Sequence, residues 1–80
     1  MHVAVELSLY PLTERYIPPI LDFIERLNAR AGLSVVTNSM STQVSGEFDT
    51  VFDALRIEIA ASLARRERAV FVMKVLGGGG

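Results

Sequence analysis

Val3, Val5, Leu7 and Leu9 alternate with His2, Ala4, Glu6, Ser8 and Tyr10, a period of two that predicts a strand with one apolar face. Pro11 ends it, and Thr13 to Tyr16 reads as a turn. Pro18 and Pro19 suit the first turn of a helix, where the missing N–H groups have no partner to lose. Ile17, Ile20, Leu21, Ile24, Leu27 and Ala31 then recur at steps of three and four, predicting an amphipathic helix to about Ala31 with Asp22, Glu25, Arg26 and Arg30 outward. Gly32 is the expected residue just past its end.

Leu33 to Thr37 is short and β-branched, a second strand. Thr42 to Glu47 alternates again as a third, with Gly46 implying a bulge or a close backbone approach. Asp49 offers a cap to a second helix whose stripe is Phe48, Phe52, Leu55, Ile59 and Leu63, ending near Arg65. Ala69 to Leu76 is a fourth strand, with Phe71, Met73 and Val75 inward, because the opposite phase would bury Lys74.

The order β-α-β-β-α-β predicts an α+β, ferredoxin-like domain: one antiparallel four-stranded sheet in the order 4-1-3-2, with two helices on one face. The other sheet face is then open. It would carry Glu6, Ser8, Tyr10, Gln43, Ser45 and Lys74 beside Val70 and Val72, with Glu6 and Lys74 as a cross-strand ion pair. The domain is expected over residues 1–76, and the glycines at 77–80 are expected to form a flexible tail.

Composition narrows the function classes. Eight Lys and Arg stand against nine Asp and Glu, which gives no electrostatic reason to capture nucleic acid or an anionic membrane. No apolar run is long enough to span a bilayer and the start does not resemble a signal peptide, so a cytoplasmic protein is expected. There is no Cys, and the single His, His2, has no neighbour with which to hold a metal, so neither metal nor cofactor is expected. A core of this size leaves only about 3–5 kcal/mol of net stability without a partner, and half of the residues are apolar. Self-association to a dimer or tetramer is the expected remedy.

Asn38-Ser39-Met40-Ser41-Thr42-Gln43 is the candidate site. It offers neutral donors and acceptors without an acid–base pair, which suits holding a small polar ring better than cutting a bond. Glu6 and Ser8 from the neighbouring first strand complete the expected lining. The same segment also reads as a tight turn whose Asn and Ser side chains bond their own backbone, and Met40 as core filler.

Met40-Ser41-Thr42, followed by Gly46 and the acidic Glu47 and Asp49, with Pro11-Leu12, Val51, Ala54 and Lys74 around them, resembles the small thiamine-binding or hydroxymethylpyrimidine-binding proteins. Ser39 stands where these commonly have Pro, and Ile59 where some have His. The resemblance implies non-catalytic binding of thiamine or its hydroxymethylpyrimidine half by an oligomer built through the open sheet face. It also implies that Ser41, Thr42, Asn38 and Gln43 meet the aminopyrimidine edge, Met40 packs on the ring, and Glu6 bonds it or offsets the thiazolium charge.

Other functions fit less well. An RNA-binding domain of this strand order would carry stacking aromatics on its third strand, which has none. An acylphosphatase-like enzyme would have Arg15 and Asn38 but no Gly-rich cradle for phosphate. A regulatory or structural oligomer sensing another metabolite, such as an amino acid, is the alternative.

Overall fold

The computed structural model describes residues 1–77. Its elements are β1 (His2–Pro11), α1 (Ile17–Asn28), β2 (Ser34–Thr37), β3 (Thr42–Glu47), α2 (Phe48–Leu63) and β4 (Ala69–Gly77). The strands form one antiparallel sheet, β2-β3-β1-β4, the expected order taken from the other edge. β4 runs through Gly77, opposite Val3; the rest of the expected tail, residues 78–80, lies outside the described residues.

Odd-numbered residues of β1 face the helices. Val3, Val5 and Leu7 join Val44 of β3, Phe23 and Leu27 of α1, and Val51 and Leu55 of α2 in one buried cluster. Even-numbered residues of β1 face away, leaving the second side of the sheet without a layer.

Both helices are rotated from their expected phase. In α1 the packed face is Ile20, Phe23, Ile24 and Leu27, while Leu21 is 58% exposed and Ile17 is also out. The simple apolar count missed Phe23, whose ring meets Phe71 edge-on with centroids 5.0 Å apart. Pro18 and Pro19 do occupy the first turn, but α1 ends at Asn28 with Ala29 as its cap. Gly32, at φ 82°, serves the turn into β2, not the helix end. In α2 the buried face is Val51, Ala54, Leu55, Glu58 and Ser62; Glu47 precedes the first turn and Asp49 lies within it.

A polar cluster between the helices, with Glu58 and Ser62 buried and Arg26 partly buried, explains the rotation. Arg26, expected outward, lies between the helices. Its Nη1 donates to Glu58 Oε1 at 2.6 Å and to the Glu58 carbonyl at 3.0 Å, its Nη2 to Ser62 Oγ at 2.7 Å, and its Nε to Asp22 at 3.0 Å. Arg30 Nε reaches the other Glu58 oxygen at 2.8 Å, and Arg65 reaches Asp22 at 2.6 Å. Burial by itself raises the Glu58 carboxyl pKa, but hydrogen bonds and charge from Arg26 and Arg30 outweigh it and the net direction is down. Asp22 is lowered through the same contest, with Arg26 and Arg65 as its partners.

Gly46 is a point of close approach. At φ 156°, a Cβ there would lie 3.0 Å from the Gly32 carbonyl oxygen. β4 has the expected phase, since Met73 is opposite Leu7 and Val75 opposite Val5. Only Phe71 is covered well enough to join the core, however; Met73 and Val75 remain 41% and 54% exposed because the helix layer does not extend over this edge.

Candidate functional site

The ladder between β1 and β3 stops at the Leu7–Thr42 pair, whereas β1 continues to Pro11. Between them, the chain from Thr37 to Thr42 swings away and leaves a notch at the end of the sheet. A cleft of about 160 Å³ fills this notch on the helix side. Its floor is Leu7 to Tyr10 of β1, its apolar wall is Ile20, Phe23 and Ile24 of α1, and its polar wall is Thr37 to Thr42.

The polar wall is organised by short bonds. Asn38 Oδ1 accepts from the N–H groups of Met40 at 2.8 Å and Ser41 at 3.0 Å, and Asn38 N–H donates to the Ser41 carbonyl at 3.1 Å. The self-bonded turn is therefore present, and Asn38 builds it. Two residues of β1 hold that turn from the open face: Ser8 Oγ donates to the Met40 carbonyl at 3.3 Å, and Ser41 Oγ donates to Glu6 Oε2 at 3.2 Å. Met40 is not core filler, being 83% exposed at the tip.

The expected site residues divide between the two sides of the sheet. Ser8, Asn38, Ser39, Met40, Ser41 and Thr42 line the cleft. Glu6 and Gln43 do not, because residues on β3 alternate and Gln43 points the other way from Thr42. Thr42 is only 6% exposed, with its hydroxyl 3.3 Å from that of Thr37. Glu6 instead faces a second hollow on the open side with Ser8, Tyr10, Met40, Ser41, Val72 and Lys74, so that Ser8, Met40 and Ser41 border both, and its carboxylate lies 3.7 Å from Lys74 Nζ. A single pocket containing all eight residues is therefore not formed. The sequence reading missed Ile20, Phe23, Ile24, Leu9 and Thr37; the first three belong to the helical period, and only strand order could have brought them to the loop.

The cleft contains no carboxylate, Lys, His or Cys side chain among its lining residues. What it offers is apolar surface on one side, with hydroxyls and main-chain groups on the other. That arrangement can hold a flat ring by its faces and its edge. Among the described residues no helix is long and apolar enough to cross a membrane.

Comparison with known proteins agrees with this architecture. The family model described as YKOF-related Family matches residues 2–75. Among solved structures, a protein of Streptococcus pneumoniae superposes with a TM-score of 0.89 at 21% identity, covering 98% of this chain and 88% of that one. A candidate thiamine biosynthesis/salvage protein of Thermotoga maritima gives 0.82 at 22% identity, over 94% of this chain and 82% of its own. A hypothetical protein of Methanocaldococcus jannaschii gives 0.81 at 25% identity, over 96% and 80%. The search of curated protein sequences returned no match.

Proposed function

The chain belongs to the YKOF-related family, and from that premise we propose that it binds thiamine or its hydroxymethylpyrimidine half in the notch beneath the Asn38–Ser41 turn, without turning it over. The observation that carries this reading is the cleft itself, in which Phe23, Ile20 and Ile24 oppose Thr37, Ser41 and Thr42 with no acid–base pair between them. A pyrimidine needs apolar contact on its faces and neutral partners on its edge. The description of the Thermotoga structural relative as a candidate thiamine biosynthesis/salvage protein supports the same ligand class.

Glu6 has a different part from the one its neighbourhood first implied. It holds Ser41 from behind and lies on the open face, where it sets the turn and does not enter the ring cleft. The open face is the proposed contact between copies. Tyr10, Val70, Val72 and Leu76 are exposed there, and burying such a surface in a dimer or tetramer strengthens a small core.

A thermal-shift panel of thiamine, its phosphates, hydroxymethylpyrimidine and amino acids tests the ligand. At about ten times its Kd a ligand stabilises by about 1.4 kcal/mol, or about 6–11 °C for a domain of this size. A shift with the pyrimidines is the expected result. A shift with an amino acid alone would move the protein to the metabolite-sensing class, and no shift with any pyrimidine would end the proposal.

A further inference from the structure

In an antiparallel sheet, the N–H and C=O of one residue point together toward one neighbouring strand, and those of the next residue toward the other. Two bonds just outside the ladders fix this alternation for β1. Leu12 N–H donates to the Arg68 carbonyl at 2.8 Å, one step past the Pro11–Ala69 pair, so even-numbered residues bond β4. Phe48 N–H donates to the Met1 carbonyl at 2.8 Å, one step past the His2–Glu47 pair, so odd-numbered residues bond β3. The β3 ladder ends at Leu7. Leu9 is the next odd residue, and Met40, which would face it in a longer ladder, has turned away.

The main-chain N–H and C=O of Leu9 therefore point side by side into the notch, with no protein partner among the described residues. Leu9 is partly buried and lines the cleft. A half-buried donor and acceptor left open in this way are costly unless water or a ligand meets them. Pro11 occupies the next position of the same phase, where a residue without an N–H leaves no second donor, only a carbonyl.

We infer that the Leu9 main chain reads the edge of the ligand, and that the ligand class is a flat heterocycle with an acceptor ring nitrogen beside an exocyclic amine. The inference rests on the proposed function and names the recognition group within that site. A donor and an acceptor in one plane on one residue pair with an acceptor and a donor adjacent on a ring. The same edge would accept a peptide strand, but the turn strapped down by Ser8 and Asn38 fills the path a strand would take. A short ring still fits, with Phe23 and Ile24 along its face.

Amide exchange and two-dimensional NMR of the nitrogen-labelled, full-length protein test this. Without ligand, the Leu9 amide exchanges about tenfold or more faster than the amides of Ser8 and Tyr10, which the β4 ladder protects. Adding hydroxymethylpyrimidine slows Leu9 exchange and moves its amide proton downfield. The analogue lacking the exocyclic amine binds about five- to a hundredfold more weakly, because the Leu9 carbonyl then loses its donor. A Leu9 amide already protected in the free protein, an unmoved Leu9 amide at saturating pyrimidine, or equal affinity for the analogue overturns the inference while leaving the pyrimidine site standing. Failure of any pyrimidine to bind overturns both.

Discussion

Replacing Arg26 by Met keeps an unbranched stem against Phe23, where the guanidinium carbon now lies 5.8 Å from the ring centroid, and removes the charge that joins the helices. Four hydrogen bonds go with it. The contact with Asp22 is partly exposed and Asp22 keeps Arg65, so that loss is about 0–1 kcal/mol. The bond to the Glu58 carboxylate is more enclosed and charge-assisted, about 1.5–3 kcal/mol. Ser62 and the Glu58 carbonyl lose partners as well, while Arg30 still holds the second Glu58 oxygen. The expected total is about 2–4 kcal/mol, below the roughly 3–5 kcal/mol of a fully broken buried pair because Arg30 remains. Urea unfolding at neutral pH and fixed protein concentration measures it, and a loss under about 1 kcal/mol would refute the reasoning. Acid adds a second check. The Glu58 pKa lies below its ordinary value of 4.5 in the fold, so its stabilisation is complete above that value and is lost as pH falls through the lower, folded value. Glu58→Gln is therefore less stable at neutral pH and has a shallower acid slope than the parent below about pH 4.5. Parallel acid slopes would show that Glu58 does not carry the effect.

Ser41→Ala, which releases the turn from Glu6, and Thr42→Val, which removes the hydroxyl paired with Thr37 in the cleft wall, should each weaken pyrimidine binding by about 1–3 kcal/mol, or roughly five- to a hundredfold, with assembly intact; calorimetry giving parental affinity for both would remove the turn from the site. Gly46→Ala should destabilise by about 1–3 kcal/mol, because its backbone conformation and the Gly32 carbonyl both oppose a Cβ; an unchanged urea midpoint would contradict that. Val72→Lys should shift sedimentation toward the monomer by placing a charge in the proposed contact, and a parent that already sediments as a folded monomer at micromolar concentration would count against the open-face interface. The pure protein should leave thiamine phosphates unchanged, and a product abolished by a point change in this chain would reverse the non-catalytic assignment.

The strand pattern was legible because β1 keeps its alternation over a whole element, and because each helix carries enough apolar residues to declare its period. The helix faces were less legible. An apolar count takes Leu21 inward and Arg26 outward, and in α2 it prefers Phe48 and Leu63 to Glu58 and Ser62. The opposite holds for each of these. A polar residue is favoured at a buried position when its partner is on another element, and Arg26 and Glu58 are 32 positions apart. No local window contains both.

The site was legible in the same partial way. Side-chain chemistry singled out Asn38 to Thr42, and strand order brought Ser8 beside them, but period-two alternation also had to place Gln43 and Glu6 away from Thr42. The groups that remain open in the notch belong to the main chain of Leu9, and main-chain groups carry no residue signature. Their availability follows from β3 ending one narrow pair earlier than β1 requires, which depends on Asn38 folding its turn and on Ser8 and Glu6 holding that turn from the other face. The polar residues that marked the segment thus act first on the backbone: they stop a ladder, and the stopped ladder leaves a donor and an acceptor open in the notch.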